Sequence, residues 1–223
     1  MPLRAAAVYD IDDSVAPCDC GTGQALAAKR VRLLAPRLGC FTCAVPNAHD
    51  SAGVGVPRSS DMFADIAEGN ERFTTSFTSA QLTGYAARGL AIVTCMDSRI
   101  EPLKVVGMTT GDAKILRNAG ARVTEDVLRT LILATHLLGV TRVLVMPHTD
   151  CRMSGRSEAE VHAEIMLASG VDTRSAEIRT VMDQLSVLRN DVQRIRAYPL
   201  LAKGVQAAGA VYDVRTGRLD FNS

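Results

Sequence analysis

The side chains best suited to chemistry are the sulfurs of Cys95 and Cys151 and the imidazole of His148. His148-x-x-Cys151 is a tight pair from one loop. Cys95 comes from a separate, much earlier segment, Cys95-Met-Asp97-Ser-Arg99, so the three can meet only in the folded chain. Two thiolates and one imidazole are a donor set that zinc accepts tetrahedrally, with the fourth position left for water or substrate. Soft thiolates favour zinc over magnesium or calcium. Three protein ligands suggest a catalytic ion rather than a structural one. By itself Cys95 could be an inert buried thiol, the commoner fate of a single cysteine; the His-x-x-Cys pair weakens that reading.

Asp97 and Arg99, two residues apart, can form a charge-assisted carboxylate–guanidinium pair. Three roles are open to it. It could be an ordinary ion pair holding a turn, Asp97 could close the metal as a fourth ligand, or Asp97 could orient a metal-bound water. Arg99 bears on the choice, because holding the carboxylate lowers its tendency to coordinate. The other four cysteines, Cys18-x-Cys20 and Cys40-x-x-Cys43, could form a second, four-thiolate site, but Cys-x-Cys is not the usual knuckle spacing and few apolar residues surround it. A dithiol redox role for Cys40 and Cys43 lacks the expected strand-to-helix context. His136 and His162 fall in helical stretches without ligand spacing to another His or Cys, and His49 lies in the N-terminal segment.

These residues need elements to bring them together. Leu90–Thr94, Ala113–Leu116 and Thr141–Met146 are short apolar runs that read as buried strands. The first runs straight into Cys95, and the third ends at Pro147-His148. Between them, Thr124 caps a helix with Glu125 and Asp126 in its first turn and Val127, Leu128, Leu131, Ala134 and Leu138 on its inner face, ending at Gly139. A longer helix is expected over about 175–196, stopping before Pro199. Phe63, Ile66, Phe73 and Phe77 form an apolar stripe on an early helix, expected to be core packing, with Ser59, Ser60 and Asp61 as cap candidates. Ala208–Val214 and Arg218–Phe221 around Arg-Thr-Gly read as a closing β-hairpin.

Strands alternating with helices imply the α/β class: a mostly parallel sheet flanked by helices, with a C-terminal hairpin. Ligands in such sheets gather at the carboxyl ends of the strands, where Cys95 and His148 fall. Residues 1–58 differ in texture, holding four of the six cysteines and ending in a Gly/Pro/Ser-rich stretch. They read as an N-terminal extension ahead of a domain over 59–223.

The 25 Lys and Arg against 24 Asp and Glu leave a net charge of +1, and aromatics are 4% of the chain, so neither a nucleic-acid partner nor an anionic membrane is expected. No apolar run approaches the ~20 residues of a membrane span. Met1 to Asp13 lacks the apolar stretch of a secretory signal, which makes the cytoplasm the expected location.

The combination Cys95-Met-Asp97-Ser-Arg99 with His148-Thr-Asp-Cys151 resembles the β-class carbonic anhydrases, and the resemblance runs from Asp61 to Ser223. Arg117-Asn-Ala-Gly-Ala121 is similar to that family's Asn-Ala-Gly loop. The resemblance implies reversible hydration of carbon dioxide to bicarbonate and a proton by metal-bound hydroxide. Zinc would sit on Cys95, His148 and Cys151, Asp97 and Arg99 would be the catalytic dyad, and Asn118 and Gly120 would line the substrate pocket. It also implies a homodimer or homotetramer in which the first helix of one subunit lies across its partner, a role that suits the phenylalanine stripe. In some family members the aspartate moves onto the metal at lower pH, which leads us to expect activity that rises with pH. Ala86 and Arg88 stand where many members carry Gln-x-Pro, and Arg152 where many carry Gly. Two alternatives share the scaffold: hydrolysis of carbonyl sulfide or carbon disulfide, and a closed zinc module without turnover.

Overall fold

Ile92 and Val93 are wholly inaccessible to solvent, because the strand that carries them is covered on both faces and paired on both edges. The computed structural model describes residues 62–221. Cys18, Cys20, Cys40, Cys43, His49, the cap candidates Ser59, Ser60 and Asp61, and the expected extension over 1–58 lie outside them. The described elements are α1 (Ala64–Thr74), β1 (Leu90–Cys95), α2 (Pro102–Val105), β2 (Ala113–Asn118), α3 (Glu125–Leu137), β3 (Arg142–Met146), α4 (Glu158–Ser169), α5 (Gln184–Arg196), β4 (Gln206–Gly209), β5 (Val211–Tyr212) and β6 (Leu219–Asp220).

β1 to β4 form one parallel sheet in the order β2-β1-β3-β4. Every residue of β1 is buried, as expected for an unbroken Leu-Ala-Ile-Val run in a central parallel strand. On one face, Ala91, Val93, Val143 and Val145 meet Val127, Leu128, Leu131 and Ala134 of α3 and Leu188, Val192 and Ile195 of α5. Burial of one such leucine is worth about 1.5–3 kcal/mol. On the other face, Leu90, Ile92, Leu144 and Met146 pack with Ile100 and Ala210. Helix ends follow their sequence signals. The Thr124 hydroxyl accepts from Val127 N at the start of α3, and Ser157 and Glu160 form a capping box on α4.

Three expectations are corrected. The helix expected over about 175–196 begins only at Gln184, because Asp183 accepts from the Leu185 and Ser186 amides and so caps it there. Ahead of that cap, Val181 is buried by a strand-like bridge to Ser154, and Arg179 adopts a left-handed backbone that a helix excludes. The closing hairpin is present but shorter than expected, as β5 and β6. Ala208 and Gly209 belong instead to β4, a fourth parallel strand. Finally, α1 buries none of its residues: Phe63, Ile66 and Phe73 are 61%, 63% and 58% exposed, so their stripe is not part of the chain's own core.

Candidate metal centre

β1 and β3 are neighbouring parallel strands in register, Thr94 beside Met146, so the residues that follow each strand emerge at the same sheet edge. Cys95 closes β1, and His148 follows β3 by two residues. The donor atoms of Cys95, His148 and Cys151 all lie within 4.8 Å of one another, and the two sulfurs are 3.9 Å apart. Cys95 and His148 are buried, and Cys151 is partly so.

The imidazole is held for coordination. Its Nδ1 lies 2.7 Å from the Thr149 carbonyl, which can only accept, so the proton sits on Nδ1 and the lone pair on Nε2. Nε2 is buried and makes no hydrogen bond among the described residues. A buried nitrogen lone pair without a donor, facing two sulfurs, is costly unless a cation completes it. The residues present therefore fit zinc, by donor chemistry and by this orphaned atom. Tyr212 N donates to Pro147 O at 2.8 Å, Thr149 N to Tyr212 O at 2.9 Å and Gln184 Nε2 to His148 O at 2.8 Å, which tie the loop to β5 and α5.

The electrostatics of the cluster follow from its proximity. The contact between the two sulfurs sets their acidities apart, bringing the Cys95 thiol down to about 3 and pushing the Cys151 thiol up. Burial alone would lower the basicity of His148, but the facing Cys95 sulfur outweighs it and the net shift is upward. Two thiols of unlike acidity beside an imidazole are an arrangement that can exchange protons for a divalent ion.

Asp97 and Arg99 form the pair that their spacing permits. Arg99 Nε donates to Oδ1 at 2.9 Å and Nη2 to Oδ2 at 2.7 Å, while the Arg99 amide donates to Oδ1 at 2.9 Å. This fork holds the Asp97 carboxyl well below the usual carboxylate range. Oδ2 is 3.8 Å from His148 Nε2, so the carboxylate stands beside the donor cluster. Arg99 Nη2 also reaches the carbonyl of Asp150, at 3.3 Å.

Asn118 and Gly120 occupy the neighbouring turn after β2. Both ends of the Asn118 amide are engaged by the Arg122 backbone, Oδ1 accepting from N at 2.8 Å and Nδ2 donating to O at 2.7 Å. Gly120 is buried with φ +79°, and a Cβ there would meet Met153 Cβ at 3.3 Å. Ala121, at φ +58°, is a buried residue in the left-handed region, a conformation that costs roughly 1–2 kcal/mol. Of the other histidines, His136 Nε2 is 3.1 Å from the Leu200 carbonyl and His162 Nδ1 is 2.9 Å from Thr173 Oγ1, and neither belongs to the donor cluster. Arg152 is exposed and pairs with Glu164.

Sequence reasoning passed over two supports. Arg117 donates through Nε to Cys95 O at 2.9 Å and through Nη2 to Asp97 O at 2.6 Å, fixing the backbone between ligand and carboxylate. Gln184 braces His148 from a helix far along the chain. Arg117 was visible as a cation at the end of β2; nothing local marks Gln184.

Residues 90–186 match the carbonic anhydrase family. Over 135 residues the chain is 34% identical to β-carbonic anhydrase 1 of Mycobacterium tuberculosis, covering 60% of this chain and 82% of that protein. It is 31% identical over 156 residues to the carbon disulfide hydrolase of an Acidianus species, covering 59% of this chain and 76% of that one. Among solved structures, a carbonic anhydrase from Streptococcus mutans superposes with a TM-score of 0.66 at 34% identity, over 74% of this chain and 98% of the other.

Proposed function

The chain belongs to the β-carbonic anhydrase family, and on that premise we propose that it catalyses the reversible hydration of carbon dioxide to bicarbonate and a proton at a zinc ion held by Cys95, His148 and Cys151. The observation that carries the reading is the meeting of these three donors, with a buried Nε2 lacking a partner, beside a carboxylate clamped by arginine. Zinc, when bound, supplies Lewis acidity, lowering the pKa of a coordinated water from 15.7 towards 7.

The chain's own residues do the rest. His148, its Nδ1 proton fixed on Thr149 O, presents Nε2 as a donor in one orientation. Arg99 keeps Asp97 ionised and turned towards its guanidinium, which would withhold the carboxylate from a bound zinc and leave a position for water or substrate. Ionised Asp97 Oδ2, 3.8 Å from His148 Nε2, is an acceptor that would take the O–H of a water held at the zinc and so orient it. Asn118 and Gly120, proposed from sequence to line the substrate pocket, are better read as shaping its wall through the backbone, since the Asn118 amide is engaged within its own turn.

A dimer or tetramer is part of the same reading. The exposed Phe63, Ile66 and Phe73 on α1 offer apolar surface to a second copy. The sheet face bearing Leu90 and Leu144 opens on a cavity of about 770 Å³ that offers more.

A second reading draws on the likeness to the Acidianus enzyme: the same site would hydrolyse carbon disulfide or carbonyl sulfide. Stopped-flow hydration of carbon dioxide, run beside assays with both sulfur compounds, decides between them. Faster turnover of carbon dioxide is expected; turnover of the sulfur compounds alone would replace the first reading with the second. Stoichiometric zinc without any turnover would point to a closed metal module.

A further inference from the structure

Asp97 and Arg99 come from one short loop, so their fork could swing as a unit and still remain intact. Asp150, from the loop after β3, ties it across the site. Arg99 Nη2 donates to Asp97 Oδ2 at 2.7 Å and also to the Asp150 carbonyl at 3.3 Å. The Arg99 side chain is 48% exposed, so packing alone does not hold it, and a third acceptor matters. Asp150 offers that carbonyl from the left-handed region, φ +55°, which most side chains avoid and Asp tolerates. Its loop is strapped to the C-terminal hairpin. Tyr212 N donates to Pro147 O at 2.8 Å, Thr149 N to Tyr212 O at 2.9 Å and Val214 N to Thr149 Oγ1 at 3.2 Å. Arg215 Nε then donates to Asp150 Oδ2 at 3.0 Å. That last pair is an exposed ion pair and holds little by itself. The straps made by main-chain N–H groups carry most of the hold.

We propose that Asp150 is a positioning residue for the Asp97–Arg99 pair: its left-handed backbone, seated on the hairpin, presents a carbonyl that anchors the guanidinium and, through it, the carboxylate. A carboxylate held by a swinging arginine can approach a bound metal, whereas one held by an anchored arginine stays back. The hairpin contributes no donor to the cluster, yet through Asp150 it helps to keep a coordination position open. The same straps fix Thr149, whose carbonyl receives the His148 Nδ1 proton, so one brace serves both the imidazole and the carboxylate. The inference rests on the reading of Cys95, His148 and Cys151 as a metal site with Asp97 beside it, though not on which substrate is turned over.

The test uses the full chain loaded with cobalt(II), whose visible d–d spectrum reports which groups coordinate, beside carbon dioxide hydration by the zinc-loaded protein. The proteins compared are the wild type, Asp150→Val, Asp150→Asn, Arg99→Ala and the double variant Asp150→Val/Arg99→Ala. A β-branched side chain resists the left-handed region, whereas Asn enters it readily and lacks only the charge. Asp150→Val is expected to move the spectrum towards that of Arg99→Ala and to lower kcat about tenfold with metal still bound. Asp150→Asn is expected to recover most of both. The double variant should be no slower than Arg99→Ala alone, because the two substitutions remove one restraint. If Asp150→Val does not fold, Asp150→Ala makes the same change more mildly. A wild-type spectrum in the folded variant, an equal loss in Asp150→Asn, or losses that add in the double variant would overturn the inference and leave the proposed activity standing. Spectra in the expected order from a protein that never hydrates carbon dioxide would uphold the inference and overturn that activity.

Discussion

At the residue scale, Arg99 decides what Asp97 can do. Arg99→Ala should free the carboxylate to reach the metal, so retained zinc with hydration lowered about 10- to 100-fold is expected, measured by metal analysis and stopped-flow on one sample. Loss of zinc in that variant would contradict the assignment. The pH dependence follows from the sign of the Asp97 shift. The Arg99 guanidinium depresses its pKa, so the stability it contributes is fully present above the unfolded value of about 3.9 and is lost as pH falls through the lower folded value. From about pH 6 to 9 Asp97 therefore stays ionised, and a rise in rate across that window belongs to the metal centre rather than to a carboxyl proton. The rate is expected to climb towards a plateau; a flat profile over the window would contradict it. Cys95, His148, Cys151, Asp97 and Arg99 could be singled out in the sequence because each lies just past a strand and within a few residues of another. The supporting roles of Arg117 and Gln184 could not, because each acts through a backbone group that only the fold brings near.

At the element scale, β4 and α5 meet in a tight joint. A Cβ built on Gly209 would lie 2.8 Å from Leu188 Cγ and 2.9 Å from Cδ1, and Leu188 is buried. Gly209→Ala is expected to destabilise the fold by about 1–3 kcal/mol in urea unfolding, through overpacking. An unchanged midpoint would show that the helix can retreat. This joint was hidden in the sequence. Gln206–Gly209 is short and rich in Ala and Gly, so it carries no strand signature, whereas the Val, Ile and Leu runs of β1 and β3 were plain. The expected 175–196 helix overshot for a related reason: Ile178, Val181 and Met182 continue the helical period of α5, and the Asp183 cap outweighs that period.

At the scale of the whole molecule, the stripe on α1 shows where one chain falls short as evidence. Its period announced a helix, but period alone could not say which molecule covers it. Residues 59–223 alone are expected to keep zinc, activity and the oligomeric mass of the full chain, while Phe73→Glu should lower that mass in light scattering. A truncated protein that fails to fold would refute the division at residue 58. The account depends most on the metal held between two neighbouring strands. Its most direct test is zinc content and carbon dioxide hydration at about pH 8.5, measured together on the wild type and on Cys95→Ala. One zinc per chain with rapid hydration, both lost in the variant, is the result predicted; hydration that survives Cys95→Ala would contradict it.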